Sequence, residues 1–186
     1  MARRQRVRLR GVGCLFLRAG TSCAPLLEGG PQERRFRGGT ENVAGIVGFG
    51  RACVVAHRDL AQRIERYGAL RERLWHTLES SIPAVRRNGA PDSVLCNTLS
   101  VEFEDTAGDV LLQALDLDGV AVSAGAACHS GSIAPSHVLT AMGRTPEQAR
   151  GTLRLSVGLG NTDEQIGAAV RKIAVLVSKV RAAGPG

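Results

Sequence analysis

The sequence predicts an α/β protein whose larger part is an α+β domain, in which helices pack over a small sheet. Three observations lead to this prediction. Apolar residues recur at helical spacing through residues 42–80. From Val94 onward, strand and helix patterns follow one another in the order β-α-β-α-α-β-α. A chain of 186 residues can bury roughly two-thirds of its unfolded surface, so its core needs no disulfide or metal.

The positive charge of the chain is concentrated at its start. The net charge is +7, and residues 1–10 contain five arginines and no acidic residue. We interpret this stretch as a solvated or disordered start. The alternative is an arm that binds nucleic acid, but no aromatic residues are interleaved with the arginines and no known nucleic-acid module follows. A nucleic-acid partner is therefore not expected.

Cysteine spacing and apolar run lengths bear on metal binding and on location. The five cysteines are scattered, and no pair has the C-x-x-C spacing of a structural zinc site. His57 and His76 have no partner at metal-binding spacing, so we expect them at helix surfaces. An odd cysteine count without a secretory signal favours reduced thiols. No apolar run approaches the roughly 20 residues of a membrane span. We expect a cytoplasmic protein without a metal or a membrane segment.

The front part of the chain predicts a strand, a polar loop and long helices. Residues 11–18 are apolar and predict a buried strand. Gly38-Gly39-Thr40 precedes a helix, so its backbone N–H groups suit an anion such as phosphate, although a simple helix cap is the commoner explanation of such a motif. The helical stretch of residues 42–80 has apolar positions that we expect to face inward: Val43, Ile46, Val47, Val54, Val55, Leu60, Ile64, Leu70 and Leu74.

The back part alternates strands with helices. Residues 94–104 predict a strand with Leu99, Val101 and Phe103 on one face. Residues 106–117 predict an amphipathic helix with Val110, Leu111, Ala114 and Leu115 directed inward. Further along, Pro146 begins a short helix, residues 152–158 form a strand with Arg154 opposite its apolar face, and Thr162 with Gln165 forms a capping box that opens a last helix.

One stretch, residues 119–139, is a strand, a loop of small residues and a helix. Val120 and Val122 predict the strand, and Ser136 or Ser132 can cap the helix. The loop between them carries Cys128. A free cysteine is most often a small buried hydrophobe, but these small neighbours offer it little to pack against. We therefore interpret Cys128 as a nucleophile displayed on a loop, with the adjacent His129 favouring its thiolate.

These residues carry a recognisable pattern. Gly125-Ala-Ala-Cys-His-Ser-Gly-Ser132 and Pro135-Ser-His-Val-Leu139 resemble the catalytic-cysteine segment of cysteine desulfurases and selenocysteine lyases, pyridoxal phosphate enzymes of the class V aminotransferase family. Gly29-Gly-Pro-Gln-Glu-Arg34 with Gly39-Thr-Glu-Asn42 resembles a second family motif, and Leu153-Arg-Leu-Ser-Val-Gly158 a third. Three motifs in the family's order make the resemblance specific, and it covers the back half of the family's length.

The resemblance implies a fold and a set of roles. It implies the C-terminal small domain of a fold-type I pyridoxal phosphate transferase in residues 43–186, with a remnant of the large domain in residues 11–42. Cys128 resembles the nucleophile that takes sulfur from L-cysteine as a persulfide and releases alanine. Arg154 resembles the clamp of the substrate carboxylate, a role that suits its planar fork; a surface strand arginine is the alternative. Thr40 resembles the residue that reaches the cofactor phosphate of the partner subunit in a homodimer.

The chain also departs from the family pattern. The family's Schiff-base lysine precedes the segment that begins here at Gly11, but the only lysines are Lys172 and Lys179, on the last helix. Pro31 replaces a family glycine and Leu159 a common arginine. We therefore expect no covalent pyridoxal phosphate on this chain alone and interpret it as a truncated or frameshifted desulfurase, inactive by itself.

Three functions follow in order of preference. The first is the small-domain portion of a cysteine desulfurase, acting on L-cysteine or selenocysteine and delivering sulfur to an acceptor protein. The second is a non-catalytic persulfide carrier or dimerisation partner of a complete desulfurase. The third is a basic nucleic-acid-binding module that depends on residues 1–10.

Overall fold

The computed structural model describes residues 11–90, 93–124 and 135–184. These residues fall into two compact units that divide between Leu60 and Ala61. The arginine-rich residues 1–10, on which the nucleic-acid alternative depends, lie outside the described residues. No helix in the described ranges is long and apolar enough to cross a bilayer.

The unit before Ala61 contains one long helix, α1 (Val43–Arg58), and a 3₁₀ turn, Gln32–Arg35. The strand predicted over residues 11–18 is wrong: this segment forms no strand, and Leu15 and Phe16 are 75% and 86% exposed. A strand is stable only when its backbone groups are paired, and no strand of the described residues lies beside this segment.

Helix α1 begins where the sequence predicts but does not bury the predicted side chains. The Asn42 side-chain oxygen accepts a hydrogen bond from the Gly45 amide at 3.0 Å and caps the helix. No residue of α1 is buried; the exposed apolar side chains are Val43, Ile46, Val47 and Val54. Helical periodicity correctly predicts the helix, but burial also requires a surface packed against its apolar side.

The unit from Ala61 onward is an antiparallel four-stranded sheet with helices. Helix α2 (Leu60–Ser81) leads into β1 (Val85–Arg87), β2 (Thr98–Phe103), α3 (Gly108–Leu117), β3 (Ser123–Ala124), α4 (His137–Ala141), α5 (Pro146–Arg150), β4 (Thr152–Ser156) and α6 (Asp163–Ala183). The spatial order of the strands is β1-β2-β4-β3. This is the α+β arrangement that the sequence predicts.

The core lies on one face of this sheet. Leu99, Val101 and Phe103 of β2 and Leu153 and Leu155 of β4 alternate with polar residues and are almost completely buried. They form one cluster with apolar side chains of the long helices: Leu70, Leu74 and Leu78 of α2; Leu111 and Leu115 of α3; Ile166, Val170, Ile173 and Val177 of α6. The alternation therefore assigns the polar residues of β2 and β4 to the opposite face.

Several boundaries differ from the sequence prediction. Strand β1 was not predicted, because three residues after the left-handed Ala84 (φ 53°) are too few to show alternation. Strand β2 begins at Thr98 instead of Val94, and β3 contains only Ser123 and Ala124. Val120 and Val122, which the sequence predicts in this strand, lie before it and are partly buried against the core. Val110 is 49% exposed, contrary to its predicted inward orientation.

Candidate functional site

Arg154 lies on the polar face of the sheet, in β4. Its neighbours along the strand, Leu153 and Leu155, are buried in the core, so the Arg154 side chain projects from the opposite face of the sheet. The residue is half-buried. Within the described parts of the chain its guanidinium has neither a hydrogen bond nor an ion pair, which is unusual for a partly buried cation. The described residues therefore leave the hydrogen-bond donors of Arg154 unused.

Two serines flank Arg154 in the sheet. Ser100 of β2 pairs with Arg154 on one side, and Ser123 of β3 pairs with it on the other. Directly opposed residues on antiparallel strands have Cβ atoms about 4.5–5.5 Å apart, so both hydroxyls lie beside the arginine. Strand β3 also leads directly into the segment that carries Cys128.

A buried amide supports this part of the face. Asn88 is 4% exposed, and its Nδ2 donates to Ser100 Oγ at 3.3 Å and to Thr152 Oγ1 at 3.4 Å. The Thr152 hydroxyl in turn donates to the Gln148 carbonyl of α5 at 2.8 Å. The amide of Asn88, the residue after β1, therefore connects β2 and β4 on the polar face and keeps the Ser100 hydroxyl in a defined position.

A buried ion pair lies in the next row of the sheet. Glu102 of β2, paired with Thr152, is 3% exposed, and its Oε2 lies 3.4 Å from Nη1 of Arg144. Glu102 Oε2 accepts no hydrogen bond, so its attraction to Arg144 is electrostatic only. Arg144 follows α4, so this ion pair connects the segment between α4 and α5 to the polar face.

Thr40 lies in the other unit, in an exposed segment before α1. Asn42, and not the Gly38-Gly39-Thr40 motif, caps α1. The Thr40 hydroxyl has no hydrogen-bond partner among the residues that the structure describes, and it is accessible to a ligand. The simple-cap interpretation of the motif is therefore wrong.

The segment before Thr40 is a closed loop with strained backbone. The Gly38 amide donates to the Leu27 carbonyl at 2.9 Å, and a Cβ on Gly38 would lie 2.8 Å from the Gly29 Cα, so only glycine allows this close approach. Glu33, Arg34 and Arg35 have φ values of 47°, 55° and 69°. Successive left-handed residues other than glycine are costly and cluster at functional sites.

The remaining predicted site residues divide between described and undescribed parts. Cys128 and His129 lie outside the described residues. Lys172 and Lys179 are on α6 as predicted, and Lys172 Nζ donates to the Asp118 carbonyl at 2.5 Å and lies 3.4 Å from Asp118 Oδ2. Among the described residues no cluster of three or more potential ligands could hold a metal.

Sequence reasoning missed the polar network around Arg154. Asn88, Ser100, Glu102 and Arg144 are separated along the chain and belong to no motif. The available signal was the polar half of the alternation in β2, where Ser100 and Glu102 occupy the face opposite the core. Pairing these residues with Asn88 and Arg144 required the strand order, which periodicity does not contain.

Known proteins with similar sequences include several cysteine desulfurases. The class-V aminotransferase model matches residues 10–168. A cysteine desulfurase IscS of Dictyoglomus turgidum is 40% identical over 176 residues, which cover 95% of this chain and 45% of that protein. A cysteine desulfurase IscS of Methanosarcina thermophila is 42% identical over 176 residues, covering 95% and 43% of the two chains.

The fold of this chain is also similar to that of a solved structure. The structure of a NifS-like protein superposes with a TM-score of 0.76 at 34% identity, covering 88% of this chain and 41% of that one. The chain thus spans less than half the length of the relatives that it matches. The fold, the three motifs and the similarity over nearly the whole sequence agree: this chain belongs to the class-V aminotransferase family.

Proposed function

We propose that this chain supplies the sulfur-accepting thiol and the carboxylate-binding arginine of a cysteine desulfurase, working with a chain region that carries the cofactor lysine. The observation that carries the proposal is the pairing of Ser123 with Arg154. This pairing places Arg154 beside β3, the strand that precedes Cys128. In the described ranges, the Arg154 guanidinium has no acceptor from the protein. The desulfurase names of the matched relatives support L-cysteine as the substrate.

Arg154 binds the substrate carboxylate in this proposal. A planar guanidinium can donate two parallel hydrogen bonds to one carboxylate, and such a charged pair is stronger in a half-buried position than in water. The core residues on either side of Arg154 hold the strand, so the arginine is attached to a rigid element. Substrate is therefore oriented by its carboxylate, with its thiol left for reaction.

Cys128 accepts sulfur in this proposal. Its thiolate attacks the sulfur of L-cysteine, a sulfur–sulfur bond forms, and the substrate Cβ–S bond breaks. The electron pair of that bond stays with Cβ, which takes a proton, so the organic product is alanine. The sulfur remains on Cys128 as a persulfide for an acceptor protein. A thiol with this role favours a reducing compartment such as the cytoplasm.

The family's cofactor, pyridoxal phosphate, fits this chain only in part. When bound, it would supply an electron sink for the substrate, and a lysine would hold it covalently. Thr40 offers an accessible hydroxyl for its phosphate, which in a homodimer would belong to the partner subunit. Lys172 is bound to Asp118, and Lys179 lies on the same helix. We therefore expect no covalent cofactor on the 186-residue chain.

The first experiment tests the chain alone. Purified chain is mixed with pyridoxal phosphate and L-cysteine, and visible absorbance and alanine release are measured. We expect neither an imine band nor alanine. Alanine release by the chain alone would contradict the dependence on a second lysine-bearing region.

The second experiment tests sulfur acceptance. The chain is incubated with a complete cysteine desulfurase and L-cysteine, thiols are alkylated, and persulfides are located by mass spectrometry. We expect a persulfide on Cys128 that is lost in Cys128→Ser. Cys53→Ser is the matched control, because Cys53 is a free, exposed cysteine of α1. A chain without persulfide on Cys128 would reject the sulfur-accepting role.

A further inference from the structure

We propose that the carboxylate site of this chain consists of three donors in one row of the sheet, with the hydroxyls of Ser100 and Ser123 completing the site around Arg154. The inference rests on the proposed function, because it assigns further binding residues to the same substrate carboxylate. It goes beyond that function in naming two residues that set selectivity for a carboxylate.

The hydroxyl of Ser100 has a hydrogen to donate. Its oxygen accepts from Asn88 Nδ2 at 3.3 Å, and in the described ranges this is its one hydrogen bond. Its direct neighbour across the strands is Arg154, which has donors and no acceptor. Ser100 and Arg154 therefore cannot satisfy each other. Both can donate to an acceptor placed above the row.

Ser123 repeats this relationship on the other side of Arg154. It is paired with Arg154 in the register of β3 and β4, it is half-buried, and its hydroxyl has no partner in the described part of the chain. A carboxylate has two oxygens with about four lone-pair positions, which suits two bonds from a guanidinium and one from each hydroxyl. Three neighbouring donor groups without an acceptor thus match a carboxylate.

The neighbouring acid, Glu102, is paired with another arginine and does not bind Arg154. Glu102 follows Ser100 on the same face of β2 and is the diagonal neighbour of Arg154, within reach of a long side chain. Its Oε2 is instead paired with Arg144 at 3.4 Å. Arg144 therefore neutralises the one carboxylate of the described sheet that is placed to compete for Arg154.

The site is expected to discriminate carboxylates from carboxamides. An amide would direct its N–H₂ donors at a row that contains only donors, and it would lack the charge that Arg154 attracts. The selectivity therefore depends on the two serines as well as on the arginine.

The test is a binding measurement on the full chain. Isotope-labelled protein is titrated with L-alanine, which carries the carboxylate and no thiol, and with L-alaninamide as the matched ligand without the charge. Nuclear magnetic resonance follows the amides of residues 100, 123 and 154. We expect saturable shifts with L-alanine and none with L-alaninamide. Equal binding of the two ligands would overturn the carboxylate site.

Variants separate this inference from the role of Arg154. Ser100→Ala and Ser123→Ala are each expected to weaken L-alanine binding by about two- to tenfold, the usual value of one hydrogen bond. Arg154→Ala should abolish it, and Ser178→Ala, an exposed serine of α6, should leave it unchanged. Because β3 is an edge strand, Ser123→Ala remains informative if Ser100→Ala fails to fold.

The outcomes are distinct. Wild-type affinity in the serine variants, with binding lost in Arg154→Ala, would overturn the inference and leave the proposed role of Arg154 intact. Absence of binding to the wild-type chain, or unchanged binding in Arg154→Ala, would overturn both.

Discussion

Arg144 Nη1 lies 3.4 Å from Oε2 of Glu102, a carboxylate that is almost completely buried in β2. This pair has two consequences. It supplies the countercharge that a buried carboxylate requires, and it connects the segment after α4 to the sheet. It also removes from Arg154 the acid that lies diagonally beside it. Arg144 is therefore a positioning residue for the carboxylate site.

Replacing Arg144 with alanine should weaken both stability and carboxylate binding. The substitution leaves Glu102 buried without its cation, which should lower the free energy of unfolding by about 1–3 kcal/mol. It also releases Glu102 to pair with Arg154, so the affinity for L-alanine should fall. Urea denaturation and titration with L-alanine measure the two effects.

The double variant Glu102→Gln with Arg144→Ala distinguishes positioning from general damage. Neutralising Glu102 removes the competitor, so the affinity for L-alanine should return towards that of the wild-type chain. Binding that stays as weak as in Arg144→Ala would show that Arg144 does not act through Glu102.

Glu72 should make stability depend on pH. Burial raises the pKa of this carboxyl, but hydrogen bonds from Arg87 and Arg71 outweigh it and lower the pKa below its ordinary value. Arg87 Nη1 lies 3.0 Å from Glu72 Oε2, and Arg71 Nε lies 2.9 Å from Oε1. Because the folded pKa is lowered, the stabilisation is present above the ordinary pKa of about 4.3 and is lost as pH falls through the lowered value.

The variant Glu72→Gln tests this dependence. At pH 7 it should be less stable than wild type by about 0.5–1 kcal/mol, a modest value because the Glu72 side chain is more than one-third exposed. The difference in urea unfolding should disappear at a pH below the lowered pKa. Glu65→Gln, an exposed position on the same helix, is the control; a pH-independent difference for Glu72→Gln would contradict the assignment.

Arg181 should stabilise the connection of α6 to the sheet. Its guanidinium donates to the carbonyls of Glu104 at 2.9 Å, Pro83 at 3.0 Å and Ala84 at 3.2 Å. Arg181→Ala removes these bonds and should lower the free energy of unfolding by about 1–2 kcal/mol. Arg171→Ala on the exposed face of α6 is the control in urea denaturation. Equal stability of the two variants would show that the bonds contribute nothing net.

Two glycines should respond to alanine in opposite directions. A Cβ on Gly108, the first residue of α3, would overlap the carbonyl oxygen of Arg150, so Gly108→Ala should destabilise by about 1–3 kcal/mol. A Cβ added to Gly68 in α2 would meet no other atom. Gly68→Ala should therefore raise the free energy of unfolding by about 0.5–1 kcal/mol, because alanine has the higher helix propensity. Thermal unfolding checks both; a shared sign would refute the packing argument.

The parts of the fold that were predicted correctly depend on neighbours in sequence. The capping box of Thr162 and Gln165 opens α6, and the alternation of Leu99, Val101 and Phe103 forms the core face of β2. The sequence predicts burial of residues 11–18 and of the apolar side chains of α1, but Leu15 and Phe16 are exposed and no residue of α1 is buried. Apolar periodicity describes which surface an element offers, while burial also depends on what lies against that surface.

The sequence by itself determined the family motifs, the helices with their caps, and the identity of Arg154 as a candidate for carboxylate binding. Only the tertiary structure decided that Ser100 and Ser123 flank Arg154 and that Arg144 forms an ion pair with Glu102. The physical reason is the range of the interactions. Caps and periodicity arise between residues three or four positions apart, whereas strand register and buried ion pairs join residues whose separation along the chain carries no pattern.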